Sequence, residues 1–132
     1  MSNESSPLSP ELHSQIAAAI RQVRNQVRWK SGKAQSHVEK RIRLGHLPPV
    51  TTLADYEMLI HAVLHHPEAM VYGFRYANAL YPTIVAPYQD QLWLVMFGLD
   101  GIMETAFPLD DPVTYFQNPK YQRFGLLKEF LP

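Results

Sequence analysis

The segment Ser36-His37-Val38-Glu39-Lys40-Arg41-Ile42-Arg43-Leu44-Gly45-His46 gathers two imidazoles and several cations into one short stretch. Imidazole is the side chain that exchanges a proton near neutral pH, and Lys and Arg neutralise phosphate or carboxylate groups. That combination suits deprotonation of a hydroxyl beside an anion. Ser36 with Glu39 has the Ser-x-x-Glu form of a capping box, and Gly45 stands where a helix ends in a left-handed turn. The spacing therefore predicts a helix from Ser36 to Leu44. On it His37, Lys40 and Arg41 share one face, while Ala34, Val38 and Ile42 form the apolar stripe that packs. A histidine in the first turn meets the positive helix end and two cations, which disfavours the imidazolium and leaves a neutral base.

The elements that must position this segment follow from periodicity. Met1 to Ser9 is rich in Ser, Asn and Pro and is expected to be a disordered leader. Ser9 has the form of an N-cap, with Pro10 at the first helical position and Glu11 in the first turn. Leu12, Ile16, Ile20, Val23 and Val27 then recur at helical spacing, predicting a helix from Pro10 to Trp29. Pro48 and Pro49 force an extended connection. Thr52 with Asp55 caps a third helix that stops near His66, before Pro67. Beyond it the pattern changes. Met70 to Tyr76 and Thr83 to Ala86 are β-branched and aromatic, and Leu92 to Phe97 is a continuous apolar run. Asp100-Gly101 supplies a hairpin turn into Ile102 to Phe107, Pro108 ends that strand, Asp110 to Tyr121 reads as loop, and Phe124 to Leu131 as an apolar tail. Three to four antiparallel strands after the helices make an α+β layout, with residues 10–132 as one domain.

Composition narrows the function classes. The 132 residues contain no cysteine, which excludes disulfides, thiol catalysis and Cys-based zinc sites. No apolar run reaches the length of a membrane span, and Met1 to Pro10 is too polar for a secretory signal, so no membrane partner is expected and cytoplasm is the default. Net charge is zero, yet it is unevenly spread. Up to Gly45, eight cations (Arg21, Arg24, Arg28, Lys30, Lys33, Lys40, Arg41, Arg43) face Glu4, Glu11 and Glu39, whereas from His46 onward four cations face nine acids. The first part is +5 and the second −5, the pattern of a basic face for a polyanion beside an acidic remainder.

The order His37-Val38-Glu39-Lys40-Arg41, then Glu104-Thr105-Ala106-Phe107-Pro108, then Tyr115, resembles the superfamily that contains barnase, EndoU, colicin D and RelE, closest to its small prophage-encoded and polymorphic-toxin members. The resemblance spans roughly Ser36 to Tyr121. It implies N-terminal helices packed on a four-stranded antiparallel sheet and metal-independent, toxin-like endoribonuclease activity, in which a 2′-hydroxyl attacks phosphorus to leave a 2′,3′-cyclic phosphate. His37 would then be base or acid, Lys40 and Arg41 would hold the phosphate, and His46 would be a second acid or base. Thr105 would offer a hydroxyl to phosphate or base. Tyr115 would stack a base or donate a proton, with Tyr121 its competitor. The partners implied are RNA, tRNA among the candidates, and a small inhibitor or immunity protein. No cofactor is implied.

Other residue sets point elsewhere. Trp29, Tyr72 and Tyr88 have the chemistry to stack on unpaired bases, although such aromatics are expected in the core. Glu57, His61 and His65 share one face of the third helix, with His66 as an outer partner, and have ligand-like spacing for a divalent ion. Against that stand the lack of a His-Glu-x-x-His motif and the dipole preference for histidine in a last turn, so no metal is expected. A basic face without acid and base would instead make a non-catalytic RNA-binding domain, and the neutral overall charge suits an immunity or antitoxin-like interaction protein.

Overall fold

Two capped helices frame the N-terminal half. In the computed structural model, which describes residues 8–132, Ser9 Oγ accepts from the Leu12 N–H at 3.0 Å and opens α1, Pro10–Asn25. Thr52 and Asp55 satisfy each other's backbone N–H groups at 3.0 and 3.1 Å, a complete capping box that opens α3, Leu53–Leu64. Of the expected leader, residues 1–7 lie outside the described residues, whereas Leu8 packs against the core. α1 stops four residues before the predicted Trp29. Arg28–Trp29 instead form β1, and Val27 stays buried because the extended chain carries it inward as the helix had carried Val23.

α2 spans Ala34–Arg43 and so starts two residues before the expected Ser36. Lys33 is its cap residue and the Ser36–Glu39 capping box does not form; Ser36 Oγ donates to the Lys33 carbonyl at 2.8 Å. Its other end matches the expectation. Gly45 has φ +77°, its N–H bonds the Ile42 carbonyl at 3.0 Å, and the His46 N–H bonds the Arg41 carbonyl at 2.8 Å. This pair of bonds is a Schellman stop, and it folds His46 back over the last helical turn.

The chain then builds a meander of β2 (Met70–Tyr76), β3 (Ala79–Tyr88), β4 (Gln91–Phe97) and β5 (Ile102–Leu109), a short helix α4 (Pro112–Tyr115), and β6 (Tyr121–Leu126). The sheet order is β1-β5-β4-β3-β2-β6, with β1 parallel to β5 and every other pair antiparallel. The α+β class is as expected. The expected four-stranded antiparallel sheet is corrected to a six-stranded mixed one, and α4 stands between β5 and β6 rather than ahead of the sheet. The two extra strands are too short or too polar to announce themselves: β1 is a dipeptide, and β6 mixes Gln122, Arg123 and Gly125 with its apolar residues.

Both faces of the sheet are apolar, which explains the unbroken run Leu92 to Phe97. Val71, Ile84, Trp93, Val95, Phe97 and Ala106 meet Ile16, Ile20 and Val23 of α1, Val38 of α2, and Tyr56, Ile60 and Val63 of α3. On the opposite face Val85, Leu94, Met96 and Leu109 are roofed by Tyr72, Phe74, Phe107, Tyr115, Phe116 and Tyr121. β5 continues through Pro108 to Leu109 rather than ending there, with Pro108 opposite Trp93. β1 pairs only with Ile102 and Met103, so beyond them β5 has one ladder-free side that tolerates the missing N–H. Asp100-Gly101 belongs to a longer turn than a two-residue hairpin. Gly101, at φ +79°, donates to the Gly98 carbonyl at 2.9 Å, and Asp100 Oδ1 accepts from the Ile102 N–H at 3.0 Å.

Tyr56 ties α3 to β5. Its ring is fully buried, its hydroxyl donates to the Ala106 carbonyl at 2.5 Å, and burial pushes its pKa up to about 12. Tyr56→Phe leaves that carbonyl without its donor and is expected to cost about 1–3 kcal/mol of stability. Urea unfolding at neutral pH checks this. The midpoint should fall with the slope unchanged, and an unshifted midpoint would remove the hydroxyl from the account of how α3 is fixed. Among the described residues no helix is long and apolar enough to cross a membrane.

Candidate active site at the edge between α2 and β5

Ala34, Val38 and Ile42 are the stripe that α2 presents inward, with Val38 fully buried and Ile42 packed against the core. Arg41 lies seven residues after Ala34, hence close to the same side of the helix. It is only 4% exposed. The expectation that His37, Lys40 and Arg41 form one solvent-facing surface is therefore corrected: Lys40 is exposed, His37 is half-buried, and Arg41 turns inward. Its guanidinium carbon sits 5.6 Å from the Phe107 ring centre of β5, and its Nη1 lies 3.0 Å from His46 Nδ1. Arg41 Nε is buried without a hydrogen-bond partner, and no carboxylate pairs with Arg41 among the described residues. Burial lowers its pKa, but guanidinium remains charged at any ordinary pH. A buried cation without a counter-anion costs several kcal/mol, so this position is not explained by packing alone.

The Arg41–His46 contact fixes the chemistry of His46. Guanidinium nitrogens only donate, so Nδ1 of His46 must accept, and the ring proton is on Nε2. Burial and the neighbouring Arg41 lower the His46 pKa, with Asp110 opposing them. His46 is thus a neutral imidazole whose free donor is Nε2–H. Expected in a nitrogen-15 NMR spectrum at pH 7 is the Nε2–H tautomer for His46, with Arg41→Met restoring a mixture of tautomers. A pure Nδ1–H signal in the unaltered protein would show that the contact does not persist in solution.

His37 sits one turn earlier on α2. Its ring lies 5.0 Å from that of Trp29, which stacks on Tyr56 at 5.7 Å and donates through Nε1 to Glu57 Oε2 at 2.9 Å. Its pKa is lowered chiefly by burial, then by Arg41 and Lys40, while Glu104 pulls the other way. Neutral His37 was expected from the helix end and the cations; burial against Trp29 is the larger cause. Glu104 was not foreseen as part of the site. It pairs with Lys30 at 3.2 Å and is the carboxylate that acts on His37.

Thr105 lies opposite Met96, one residue after Glu104. Simple alternation along the strand would put Met103, Thr105 and Phe107 on one face, but a register shift between Met96 and Phe97 breaks it. Met103 packs into the helix-side core and Phe107 into the opposite cluster. A bulge adds one residue without adding a sequence signal, so strict alternation misplaces everything on one side of it. Tyr115 and Tyr121, the two candidates for one role, lie side by side: their hydroxyls bond to each other at 2.6 Å, and Tyr115 packs edge-on to Phe107 at 6.0 Å. Burial and that bond raise the Tyr121 pKa. The structure thus joins Arg41 to His46 and, through Phe107, to Tyr115, while His37 packs against Trp29. Lys40 lies exposed on the same helix, and Thr105 adjoins Glu104 in the chain.

The remaining cations divide. Arg24 Nε donates to the Leu64 carbonyl, Arg28 Nη2 to the Asp100 carbonyl, and Lys30 pairs with Glu104. Arg21, Lys33, Lys40 and Arg43 are exposed and have no carboxylate partner among the described residues. On α3, Glu57 accepts from Trp29, while His65 Nδ1 bonds the His61 carbonyl at 2.8 Å and His66 Nδ1 accepts from the Glu68 N–H. Among the described residues no three His, Asp or Glu side chains converge as a metal site.

The two lowered histidines set a pH dependence of stability. Each binds its proton less readily folded than at the ordinary value of 6.5, so below 6.5 the unfolded chain holds more protons and stability falls with pH. Their full contribution is present above that value. Denaturation at pH 7.5 and 5.5 should show the loss, and a His37→Gln, His46→Gln double variant should lose less across the same interval. An equal loss in both proteins would assign the dependence to other groups. Comparison with protein-family models, with curated proteins and with solved structures returned no match.

Proposed function

We propose that the chain is a metal-independent endoribonuclease of the kind represented by barnase, EndoU, colicin D and RelE. The observation that carries this reading is a buried Arg41 without a carboxylate partner, set between His46 on one side and the α2 turn of His37 and Lys40 on the other. A phosphodiester supplies the missing anion. Lys40 and Arg41 hold its non-bridging oxygens, and His46 Nε2–H adds a neutral donor to them. His37 takes the ribose 2′-hydroxyl proton, and the 2′-oxygen attacks phosphorus. The imidazolium that forms is surrounded by cations and half-buried, so it gives its proton up readily, and the leaving 5′-oxygen receives it. The products are a 2′,3′-cyclic phosphate and a 5′-hydroxyl. Thr105 and Tyr115 serve as hydroxyl donors at the border of the site.

A mixed-sequence RNA and its DNA counterpart, each incubated with the protein in excess chelator, test this reading. The RNA should be cut and the DNA left intact, because only RNA carries the nucleophile. RNA bound but never cut would leave a binding module. Cutting that appears only on adding zinc or magnesium would favour chemistry at Glu57, His61 and His65.

A further inference from the structure

The sheet face turned away from α1, α2 and α3 is covered only in part. Aromatic rings of the α4 segment roof one portion of it, and beside that roof the face opens as a cleft of 460 Å³. Tyr72 of β2, Val85 of β3 and Leu92 of β4 line it from the sheet, and Val113 and Phe116 line it from the α4 segment. Tyr72 and Phe116 lie face to face at 4.1 Å with their planes 7° apart, a flat aromatic wall. The volume is that of a small-molecule site, which commonly measures about 300–1,000 Å³.

The charged groups of this cleft are one of each sign. Glu68, just before β2, and Arg123, on β6, both line it and are exposed. Among the described residues Glu68 pairs with no cation, Arg123 pairs with no carboxylate, and the two do not pair with each other. Arg123 Nε lies 3.3 Å from Met70 Sδ, a weak acceptor, and its terminal nitrogens make no hydrogen bond among the described residues. An apolar cleft flanked by an unpaired anion and an unpaired cation is complementary to a molecule that carries both charges on an apolar body. A polyanion would satisfy Arg123 but set its phosphates beside the Glu68 carboxylate. An uncharged apolar segment would leave both groups unused. We infer that the cleft binds a free apolar α-amino acid. Glu68 accepts from its ammonium group, Arg123 donates to its carboxylate, and its side chain lies against Tyr72, Leu92 and Phe116. The inference is independent of the ribonuclease reading, since no residue of the α2–β5 site lines this cleft.

Phenylalanine and its derivatives, titrated into the full chain and followed by proton–nitrogen NMR, test each contact in turn. L-Phenylalanine should shift the amides of β2, the α4 segment and β6 saturably, with a Kd on the order of 1 mM for so small a ligand in an open cleft. Leucine should bind comparably. Glycine, which has no side chain, and aspartate, which brings a second carboxylate, should not bind in that range. Phenylalanine amide lacks the carboxylate and N-acetylphenylalanine lacks the ammonium, so each should bind at least about tenfold more weakly, as for loss of a hydrogen bond between charged groups. D-Phenylalanine cannot place all three groups at once and should also bind more weakly. Glu68→Gln and Arg123→Gln change exposed side chains and should leave the urea midpoint unaltered. Glu68→Gln should weaken phenylalanine but not N-acetylphenylalanine, and Arg123→Gln should weaken phenylalanine but not its amide. No saturable shift with phenylalanine, or equal affinity for N-acetylphenylalanine amide, would overturn the assignment. Concentration-dependent self-association that Val113→Glu abolishes would give the apolar wall to a second copy of the chain and overturn it as well.

Discussion

His37→Ala is expected to lower RNA cleavage by at least about a hundredfold, the lower end of what a positioned acid or base contributes. RNA affinity should stay nearly unchanged, because His37 is neutral and gives the phosphate no charge. The same neutrality predicts the pH profile of the unaltered protein. With a pKa held below 6.5 by burial and by Arg41 and Lys40, the base form dominates at pH 7, and the rate should fall only as the solution is acidified past 6.5. Rate measurements from pH 4.5 to 8 with a labelled RNA decide the matter. Normal cleavage by the variant would strip His37 of its role, and a rate still rising steeply above pH 7 would mean that another group removes the proton.

Arg41→Met is expected to separate stability from function. The methionine fills the same inward slot over Phe107 and removes a buried charge that has no carboxylate partner among the described residues. Replacing buried ionic groups by apolar ones of similar volume is often neutral or stabilising by about 1–4 kcal/mol, and here the lost contact to His46 offsets part of it. We expect a net gain of about 1 kcal/mol in urea unfolding. Cleavage should fall by at least about a hundredfold, as for removal of one preorganised donor to developing charge. The salt slope of RNA binding should flatten by about one unit, since one phosphate contact and its counterion are lost. A variant that is less stable and still active would make Arg41 an ordinary structural residue.

What the sequence disclosed follows physical lines. Helix caps are local chemistry, so Thr52 with Asp55, Ser9 with Pro10, and the Gly45 stop appear in the structure at the expected places. The Ser36–Glu39 box had the same form but failed, because α2 begins earlier, at Ala34. Periodicity disclosed α1, α3 and the central meander. It did not disclose β1 or β6, whose formation depends on distant partners, Ile102 and Met103 for one and β2 for the other. At the site, residue type was legible and orientation was not. Arg41 was recognisable as a cation, but its burial depends on the α2 side that β5 accepts. Glu104 was hidden by the register shift beside it, and the Tyr115–Tyr121 bond by the turn between α4 and β6. The one hint of Glu104 was an acid inside an otherwise apolar strand.

The measurement that meets the central claim most directly is the chemical state of the RNA ends. Mass spectrometry of the fragments released from a mixed-sequence RNA, in excess chelator at pH 7.5, reads the nucleophile from the products. Attack by the 2′-hydroxyl leaves a 2′,3′-cyclic phosphate on one fragment and a 5′-hydroxyl on the other, and both should vanish together in His37→Ala. Fragments ending in 3′-hydroxyl and 5′-phosphate, or no fragments from the unaltered protein, would contradict the account.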